Sequence, residues 1–383
     1  MKQVIKKNIK ELKNIKDEKL IYTLLIDGNN LMKISSIDKR MNSKGEEYGM
    51  VFQFLLQLSK LLTVKDYNFV YVMFDGEKSG QLRYQLYNEY KANRDKHYES
   101  DSKSEYDKYI DNYVKKVLEY SKTNKKEVKR NETDEESFER QRMILSSCLE
   151  ELFIRQVRCD EVEGDDLIAY YVNNKKPNER IVIVSGDRDL TQLISDEVCV
   201  YIPSLKKYIS PKNHIQELGF THENVLIKKI LCGDVSDNIK GIKGMGDKTF
   251  FNLFPDAKTK KYTLDDILVE TKKIIEQRTK ENKKPLQVTE NIINKVTLGS
   301  QGDMIYEINK AIINLKEPLL TKEAIEELDS IMYAPLDPTG RDLKNLYTII
   351  VNNEMNDMLD EKKFSGIFSS FNKIIEMEKK YSK

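Results

Sequence analysis

Three short apolar segments, each ending in an aspartate, constrain the fold of this chain most strongly. They read LIYTLLID, NFVYVMFD and RIVIVSGD, and they end at Asp27, Asp75 and Asp187. Their apolar residues run almost without a break, which is typical of strands buried on both faces of a parallel sheet. Helical patterns lie between them, over residues 50–62 and 137–156. This alternation predicts an α/β fold with a doubly wound, mainly parallel sheet.

Acidic residues gather at the predicted carboxyl edge of this sheet, which is where ligands bind in open parallel sheets. The segment VEGDDLIAYYV predicts a turn followed by an amphipathic helix, with three acidic residues at the start. SGDRDL adds a further carboxylate to this edge, and LCGDVSD adds two more. The nine candidate metal ligands are Asp27, Asp75, Glu163, Asp165, Asp166, Asp187, Asp189, Asp234 and Asp237.

Nine carboxylates in one cleft repel each other unless cations neutralise them. Mg²⁺ suits oxygen ligands of this kind, and Mn²⁺ can substitute for it. Two such ions about 4 Å apart clamp the attacking and leaving oxygens of a phosphodiester cleavage. The acidic residues therefore favour metal-assisted phosphoryl chemistry. Capping of a helix or strand is the alternative for any one of them, and LLIDGNN alone also fits a phosphatase or a receiver domain.

The stretch LCGDVSDNIKGIKGMGDKTF places three glycines after two of these aspartates. It is not a nucleotide-binding P-loop, because Asp247 separates Gly246 from Lys248 and the preceding segment reads as a helix. A helix, a Gly-x-x-Gly-x-Gly turn and a second helix instead predict a grip on phosphates that does not read sequence. Residues 201–300 carry 18 Lys and Arg against 12 Asp and Glu, which supports a polyanionic ligand there. The candidate DNA contacts of this stretch are Lys240, Gly241, Lys243, Gly244, Gly246 and Lys248.

A basic and aromatic segment, RYQLYNEYKANR, follows the strand that ends at Asp75. Helical spacing places Arg83, Tyr87, Tyr90, Lys91 and Arg94 on one face. We expect Lys91 and Arg94 to hold the scissile phosphate, Tyr90 to offer a stacking surface for a base, and Arg83 to contact DNA. A solvated basic face is the alternative interpretation.

The remaining segments carry little chemistry of their own. Residues 95–135 are polar and rich in Tyr and Lys, which predicts a long excursion from the core. The four cysteines form no C-x-x-C pair and predict reduced thiols in a cytoplasmic protein. No apolar run approaches the roughly 18 residues of a membrane helix. The charged N-terminus also lacks the apolar core of a signal peptide.

Taken together, LLIDGNN, FDG, YKANR, VEGDDLIA, SGDRDLTQL and GDVSDNIKGIKGMGDKT resemble the flap endonuclease and 5′-nuclease superfamily. The resemblance spans roughly residues 20–255, with the motifs in the family's order. It is strongest toward stand-alone bacteriophage enzymes of this superfamily, which include phage RNase H. Lys240 and Lys243 replace residues that are frequently apolar or proline in relatives, and this change should increase the attraction to phosphate.

The resemblance implies a PIN-like core with a helical arch, a helix–three-turn–helix DNA grip and removal of 5′ ends or 5′ flaps. DNA and RNA–DNA hybrids would be the substrates, in replication and repair, and K⁺ often binds the glycine hairpin in this family. One metal ion would be held by Asp27, Asp75, Glu163 and Asp165, with Asp166 adjacent. The second would be held by Asp187, Asp189, Asp234 and Asp237, while Lys91 and Arg94 would meet the scissile phosphate.

The expected organisation is an N-terminal extension (1–19), a nuclease core (20–200) with an arch at about 83–140, a DNA-binding region (201–256) and a helical C-terminal region (257–383). For the C-terminal region, DNA, a clamp and a single-strand-binding protein remain alternative partners. A bacteriophage origin would place the protein in the host cytoplasm. Two other functions stay open from the residues: a PIN-type ribonuclease, and a DNA-junction binder without activity.

Overall fold

The structure is a computed structural model that describes residues 20–93, 130, 132–297 and 304–381. The strands are β1 Ile21–Asp27, β2 Phe69–Asp75, β3 Arg155–Cys159, β4 Glu179–Val184, β5 Val198–Ile202, β6 Lys207–Ile209, β7 Gly233–Asp234 and β8 Ile239–Lys240. The helices of the first half are α1 Gly28–Ser35, α2 Gly49–Val64, α3 Gln81–Leu86, α4 Asp134–Glu151, α5 Gly164–Asn173 and α6 His214–Leu218.

The second half of the chain is helical. Its helices are α7 Val225–Cys232, α8 Asp247–Leu253, α9 Leu264–Lys280, α10 Gln287–Ile293, α11 Ile305–Ile313, α12 Lys322–Ile331, α13 Leu343–Asn352, α14 Glu361–Phe368 and α15 Asn372–Tyr381. Short 3₁₀ helices cover Asp189–Leu193, His222–Asn224, Pro255–Lys258, Asn356–Met358 and Ser369–Phe371.

Six strands form the central sheet in the order β3-β2-β1-β4-β5-β6. The first five are parallel, and β6 pairs antiparallel with β5 at the edge. Alternate residues of one strand face opposite layers: Leu24 and Ile26 pack with α2 and α4, whereas Leu25 packs with α5. The predicted α/β fold with a doubly wound, mainly parallel sheet is confirmed. The strand order reverses between β1 and β4, and such a switch point opens a crevice at the carboxyl ends of the strands.

The helical pattern over 137–156 extends too far in the sequence-based interpretation. Helix α4 ends at Glu151, and Arg155 and Gln156 already belong to β3. The pattern misses β3 because this edge strand, RQVRC, alternates polar and apolar residues and is covered by only one neighbour. The sheet also continues past the boundary predicted at residue 200, so we propose that the core extends to Ile209.

The C-terminal region is divided between two parts of the molecule. Helix α11 packs against α7, next to the predicted DNA grip. Helices α13, α14 and α15 return to the α/β core, where Leu346, Phe368 and Phe371 are buried with the residues of α2 and α4. Arg155 and Glu378 form an ion pair of 2.7 Å that is almost fully buried beneath them. These last helices therefore complete the core.

The predicted helical face over residues 83–94 is wrong. Helix α3 ends at Leu86, and Tyr87 is extended, with φ −148° and ψ 100°. Lys91 then takes a left-handed φ of 56°, and its N–H donates to the carbonyl of Asp237 at 2.8 Å. This tertiary bond turns the chain toward the cleft in place of further helix. Arg94 and most of the predicted arch, over residues 94–129, lie outside the described residues. No helix in the described ranges is long and apolar enough to cross a bilayer.

Candidate active site

A polar cleft of about 660 Å³ opens at the carboxyl ends of β1, β2 and β4. The sheet brings strand ends together here, α5 begins at the same edge, and the segment after α7 closes the opposite side. Eight of the nine predicted carboxylates line the cleft: Asp27, Asp75, Glu163, Asp165, Asp187, Asp189, Asp234 and Asp237. Residues that are up to 210 positions apart in sequence thus share one cavity.

Neutral donors fix the two strand-ending aspartates. Asp27 caps α1 by accepting from the Asn30 N–H at 2.9 Å, and its second oxygen accepts from the Ser185 hydroxyl at 2.7 Å. Asp75 accepts from the Asn29 side-chain amide at 2.9 Å and from the Gly164 N–H at 2.8 Å. Asp27 is thus a helix cap, as the alternative interpretation proposed, and the same hydrogen bonds hold its carboxylate in the cleft.

Glu163 is contacted by two cations and a hydroxyl group. It precedes α5 and lies 2.6 Å from the ammonium of Lys91 and 3.4 Å from the guanidinium of Arg83. The Tyr90 hydroxyl donates to it at 3.1 Å. Burial alone would raise the pKa of Glu163, but Arg83 and Lys91 outweigh it and hold this pKa below its usual value. Glu163 is therefore ionised at neutral pH.

Asp166 does not belong to the cleft, and its prediction as a metal ligand is wrong. Its side chain is 1% exposed and receives both terminal nitrogens of Arg83, at 2.5 and 3.1 Å. The Leu319 N–H also donates to it, at 3.0 Å. Neighbouring positions on a helix point about 100° apart, so the turn that aims Asp165 into the cleft directs Asp166 toward Arg83.

Burial and mutual repulsion raise the pKa values of three cleft carboxylates. Burial, followed by repulsion from Asp187, raises the pKa of Asp165 well above its ordinary value. Burial is also the largest cause for Asp27 and Asp189, whose pKa values rise to about 7. Like charges held in a poorly hydrated space oppose each other's ionisation. A divalent cation would relieve this repulsion, and the all-oxygen donor set suits Mg²⁺ or Mn²⁺.

On the other side of the cleft, one lysine balances the negative charge of two carboxylates. The Lys229 ammonium, on α7, contacts one oxygen of Asp189 and lies 2.6 Å from Asp234. Asp234 also accepts from the Ser236 hydroxyl at 2.6 Å. Burial would raise the pKa of Asp234, but Lys229 and these hydrogen bonds lower it. Among the described residues, no three His, Cys, Asp or Glu side chains are already arranged to hold one metal ion. Enclosing a cation would require these carboxylates to rearrange.

The structure contradicts two predicted DNA contacts. Tyr90 is 2% exposed, so its ring cannot stack on a base, and its hydroxyl bonds Glu163 instead. Arg83 is 6% exposed; besides its bonds to Asp166, its Nε donates to the Ile312 carbonyl at 2.9 Å. Both residues line the cleft as buried groups that hold acidic side chains in position. Lys91 does line the cleft and remains available at its edge, with 19% of its side chain exposed.

The predicted glycine grip lies between α7 and α8. Gly244 has a left-handed φ of 84°, and a Cβ on Gly241 would lie 2.3 Å from the carbonyl carbon of Cys232. Position 246 does not require glycine, because its φ is −122° and nothing lies within 4 Å of a Cβ built there. Lys243 and Lys248 are exposed on this turn, whereas Lys240 is half-buried and its ammonium donates to the Asn238 side chain at 2.8 Å.

Sequence reasoning missed the residues that hold the carboxylates in place. Asn29 and Asn30 follow Asp27 directly, and LLIDGNN was read for its aspartate alone. Lys229 was overlooked because it lies in an otherwise apolar helix, VLIKKILC, although a charged residue five positions before Asp234 was a usable signal. Arg83 was predicted to contact DNA, because its actual partners lie far from it in the sequence and could not be recognised there.

The chain is similar to known proteins in both sequence and fold. A family model described as 5′-3′ exonuclease, N-terminal resolvase-like domain, matches residues 22–219. The chain is similar to a 5′-3′ exonuclease of Mycoplasmopsis pulmonis, with 27% identity over 80% of this chain and 89% of the relative. It is also 28% identical to a thermostable DNA polymerase I of Thermus caldophilus, over 61% of this chain. It spans only 24% of that polymerase.

Solved structures with a similar fold include T5 5′-exonuclease with bound zinc, at 18% identity and a TM-score of 0.47, covering 87% of this chain and 98% of that chain. The catalytic core of Rad2 in complex with DNA matches at 11% identity and a TM-score of 0.46, covering 93% of this chain and 94% of that chain. The family-model match covers more than half of the sequence and contains most of the cleft carboxylates. The chain therefore belongs to the 5′-3′ exonuclease family, within the 5′-nuclease superfamily that its motifs resemble.

Proposed function

We propose that this protein is a metal-dependent 5′-nuclease that hydrolyses phosphodiester bonds near 5′ ends or 5′ flaps of DNA. The observation that carries the proposal is the single cleft in which eight carboxylates and Lys91 converge at the switch point of the sheet. The family membership supports the same reaction class. Replication or repair is the setting we propose, because the relatives include DNA polymerase I.

In this proposal the cleft carboxylates hold two Mg²⁺ ions, with Mn²⁺ as a substitute. Asp27, Asp75, Glu163 and Asp165 would serve one ion, and Asp187, Asp189, Asp234 and Asp237 would serve the other. When bound, the ions would lower the pKa of the attacking water and stabilise charge on the phosphate. Asn29, Asn30 and Ser185 already fix the orientation of the strand-ending carboxylates, so the protein limits the rearrangement required.

Lys91 and Arg94 would hold the scissile phosphate. The Lys91 ammonium lies at the border between Glu163 and solvent, where an incoming phosphate oxygen could replace the carboxylate as its partner. The left-handed backbone of Lys91 and its bond to Asp237 place this side chain accurately. Arg94 follows three residues later, outside the described part of the chain.

The glycine turn would bind the duplex through its phosphates. Lys243 and Lys248 are exposed there, and Gly244 and Gly246 are exposed glycines at which a phosphate could approach the backbone closely. Lys240 and Gly241 would support the same grip. A K⁺ ion would use carbonyls of this turn other than those of Gly241 and Lys243, which accept from Thr297 and Asn291.

We also propose a wider substrate range, a cellular setting and a partner. RNA–DNA hybrids would be cut as well as DNA, and a single-stranded 5′ end would thread through the segment predicted as an arch. The reaction would take place in the cytoplasm, or in a host cytoplasm for a bacteriophage protein, consistent with four free cysteines. A clamp or single-strand-binding protein stays a proposed partner.

The test is cleavage of a 5′-labelled flap duplex in Mg²⁺, with EDTA as the control. We expect metal-dependent release of the intact flap as an oligonucleotide, which would show structure-specific endonuclease action. Release of mono- or dinucleotides would indicate a 5′-exonuclease. Cutting of single-stranded RNA alone would identify a PIN-type ribonuclease, and tight binding without metal-dependent cleavage would identify a junction binder and refute the proposal.

A further inference from the structure

Lys229 occupies an unusual position for an ammonium group in a cleft of carboxylates. It lies in the last turn of α7, whose apolar residues Val225, Ile227 and Ile230 are buried and fix the helix. Its side chain is only 21% exposed and points into the cleft. The position of the ammonium is therefore set by the fold.

The two halves of the cleft differ in how their charge is balanced. In the first half, Lys91 and Arg83 contact Glu163, whereas Asp27 accepts hydrogen bonds from the neutral Asn30 N–H and Ser185 hydroxyl. In the second half, one ammonium bridges Asp189 and Asp234, which come from two separate segments of the chain. A cation held by both of these carboxylates would have to occupy the space next to the Lys229 ammonium. Two cations cannot share this gap without strong repulsion.

We infer that Lys229 is an internal counter-ion that competes with a divalent ion for the Asp189–Asp234 half of the cleft. Filling of the second half then requires the Lys229 ammonium to leave, and filling of the first half does not. This inference rests on the proposed function, since it assigns a role to Lys229 within the same metal-binding cleft. It makes Lys229 a positioning residue that sets the order and the affinity of metal binding.

The inference can be tested by calorimetric titration of the full chain with Mn²⁺ at neutral pH. For the unmodified protein we expect two binding steps, the second weaker. Lys229→Met should tighten the second step by at least about tenfold, equivalent to about 1.4 kcal/mol, and change the first by less than about threefold. Lys228→Met is the matched control, because Lys228 is adjacent on α7 but pairs with Asp247 outside the cleft, at 2.8 Å. An unchanged or weaker second step in Lys229→Met would overturn the inference.

A second measurement uses the unmodified protein and does not depend on the variant folding. Lys229 should react slowly with an amine-labelling reagent in EDTA, and several-fold faster in saturating Mg²⁺, as read by mass spectrometry. Labelling of Lys228 should not change. Equal or slower labelling of Lys229 in Mg²⁺ would overturn the inference.

The outcomes also separate this inference from the proposed function. If the unmodified protein binds no divalent ion, both fall. If it binds metal and cleaves the flap duplex, but Lys229→Met and the labelling show no difference, only the role of Lys229 is refuted.

Discussion

Replacing Asp166 by Asn should destabilise the protein while leaving metal binding intact. Arg83 and Asp166 are joined by two hydrogen bonds of 2.5 and 3.1 Å, and their side chains are 7% and 1% exposed. Removing one partner of a buried ion pair costs about 3–5 kcal/mol, because the other charge stays buried without compensation. Glu163 lies 3.4 Å from the same guanidinium and balances part of its charge. We therefore expect a loss near the lower end, about 3 kcal/mol.

The assay is equilibrium urea unfolding followed by circular dichroism, combined with a double-mutant cycle. Arg83→Met together with Asp166→Leu removes both charges, so the double variant should lose less stability than the sum of its single variants. Glu326→Gln is the control, because its pair with Lys322 is exposed and 3.7 Å long. Such a surface pair contributes at most about 1 kcal/mol.

Two results would refute this reasoning. A loss below about 1 kcal/mol for Asp166→Asn would mean that the buried pair does not carry the expected free energy of unfolding. A fall in Mn²⁺ affinity as large as that of Asp165→Asn would mean that Asp166 is a metal ligand after all. We expect its Mn²⁺ affinity to stay within about threefold of the unmodified protein, equivalent to less than about 1 kcal/mol.

Three further predictions address other parts of the molecule. Burial, followed by the neighbouring His214, lowers the pKa of His222 from 6.5 to about 4. The unfolded chain therefore binds this proton at a higher pH than the folded protein, and stability should fall as the pH decreases from 6.5 toward 4. In His222→Gln, the urea midpoint should depend less on pH over this range. Gly244→Ala should cost about 1 kcal/mol through its positive φ and weaken duplex binding, whereas Gly246→Ala should leave the urea midpoint unchanged. Tyr90→Phe removes only the hydroxyl bond to Glu163 and should lower stability by about 1 kcal/mol. Tyr90→Leu removes the buried ring and should leave single-strand affinity unchanged in fluorescence anisotropy, whereas a lost affinity would restore the stacking role.

The sequence alone is enough to predict the central strands of the sheet and most of the cleft residues. The runs that end at Asp27 and Asp75 are buried on both faces, so their apolar composition predicts central strands and the edge at which they end. Edge strands β3 and β6 lack this signal because they pair on one side only. Strand β4 ends at Val184, and Asp187 reaches the cleft from the following loop.

Contacts between distant segments account for the errors. Arg83 and Tyr90 read as a basic and aromatic helical face because the partners that bury them, Asp166 and Glu163, lie over 70 residues away. Only the fold shows that Lys91 bonds Asp237 and that the helix has ended by then. Asp166 is adjacent to Asp165 on α5 and lies about 100° further round the helix, where Arg83 binds it, and the run of acidic residues alone does not reveal this partner.

The most direct test of the account is single-turnover cleavage and binding of one 5′-flap duplex by Asp187→Asn, compared with Asp196→Asn. Asp187 lines the cleft, and Asp196 is an exposed acidic residue of the same part of the chain. We expect Asp187→Asn to lose at least about 100-fold in Mg²⁺-dependent cleavage, because metal-held charge stabilisation contributes several kcal/mol, with duplex affinity within about threefold. Asp196→Asn should match the unmodified protein in both measurements. Unchanged cleavage by Asp187→Asn would contradict the assignment of this cleft as the active site.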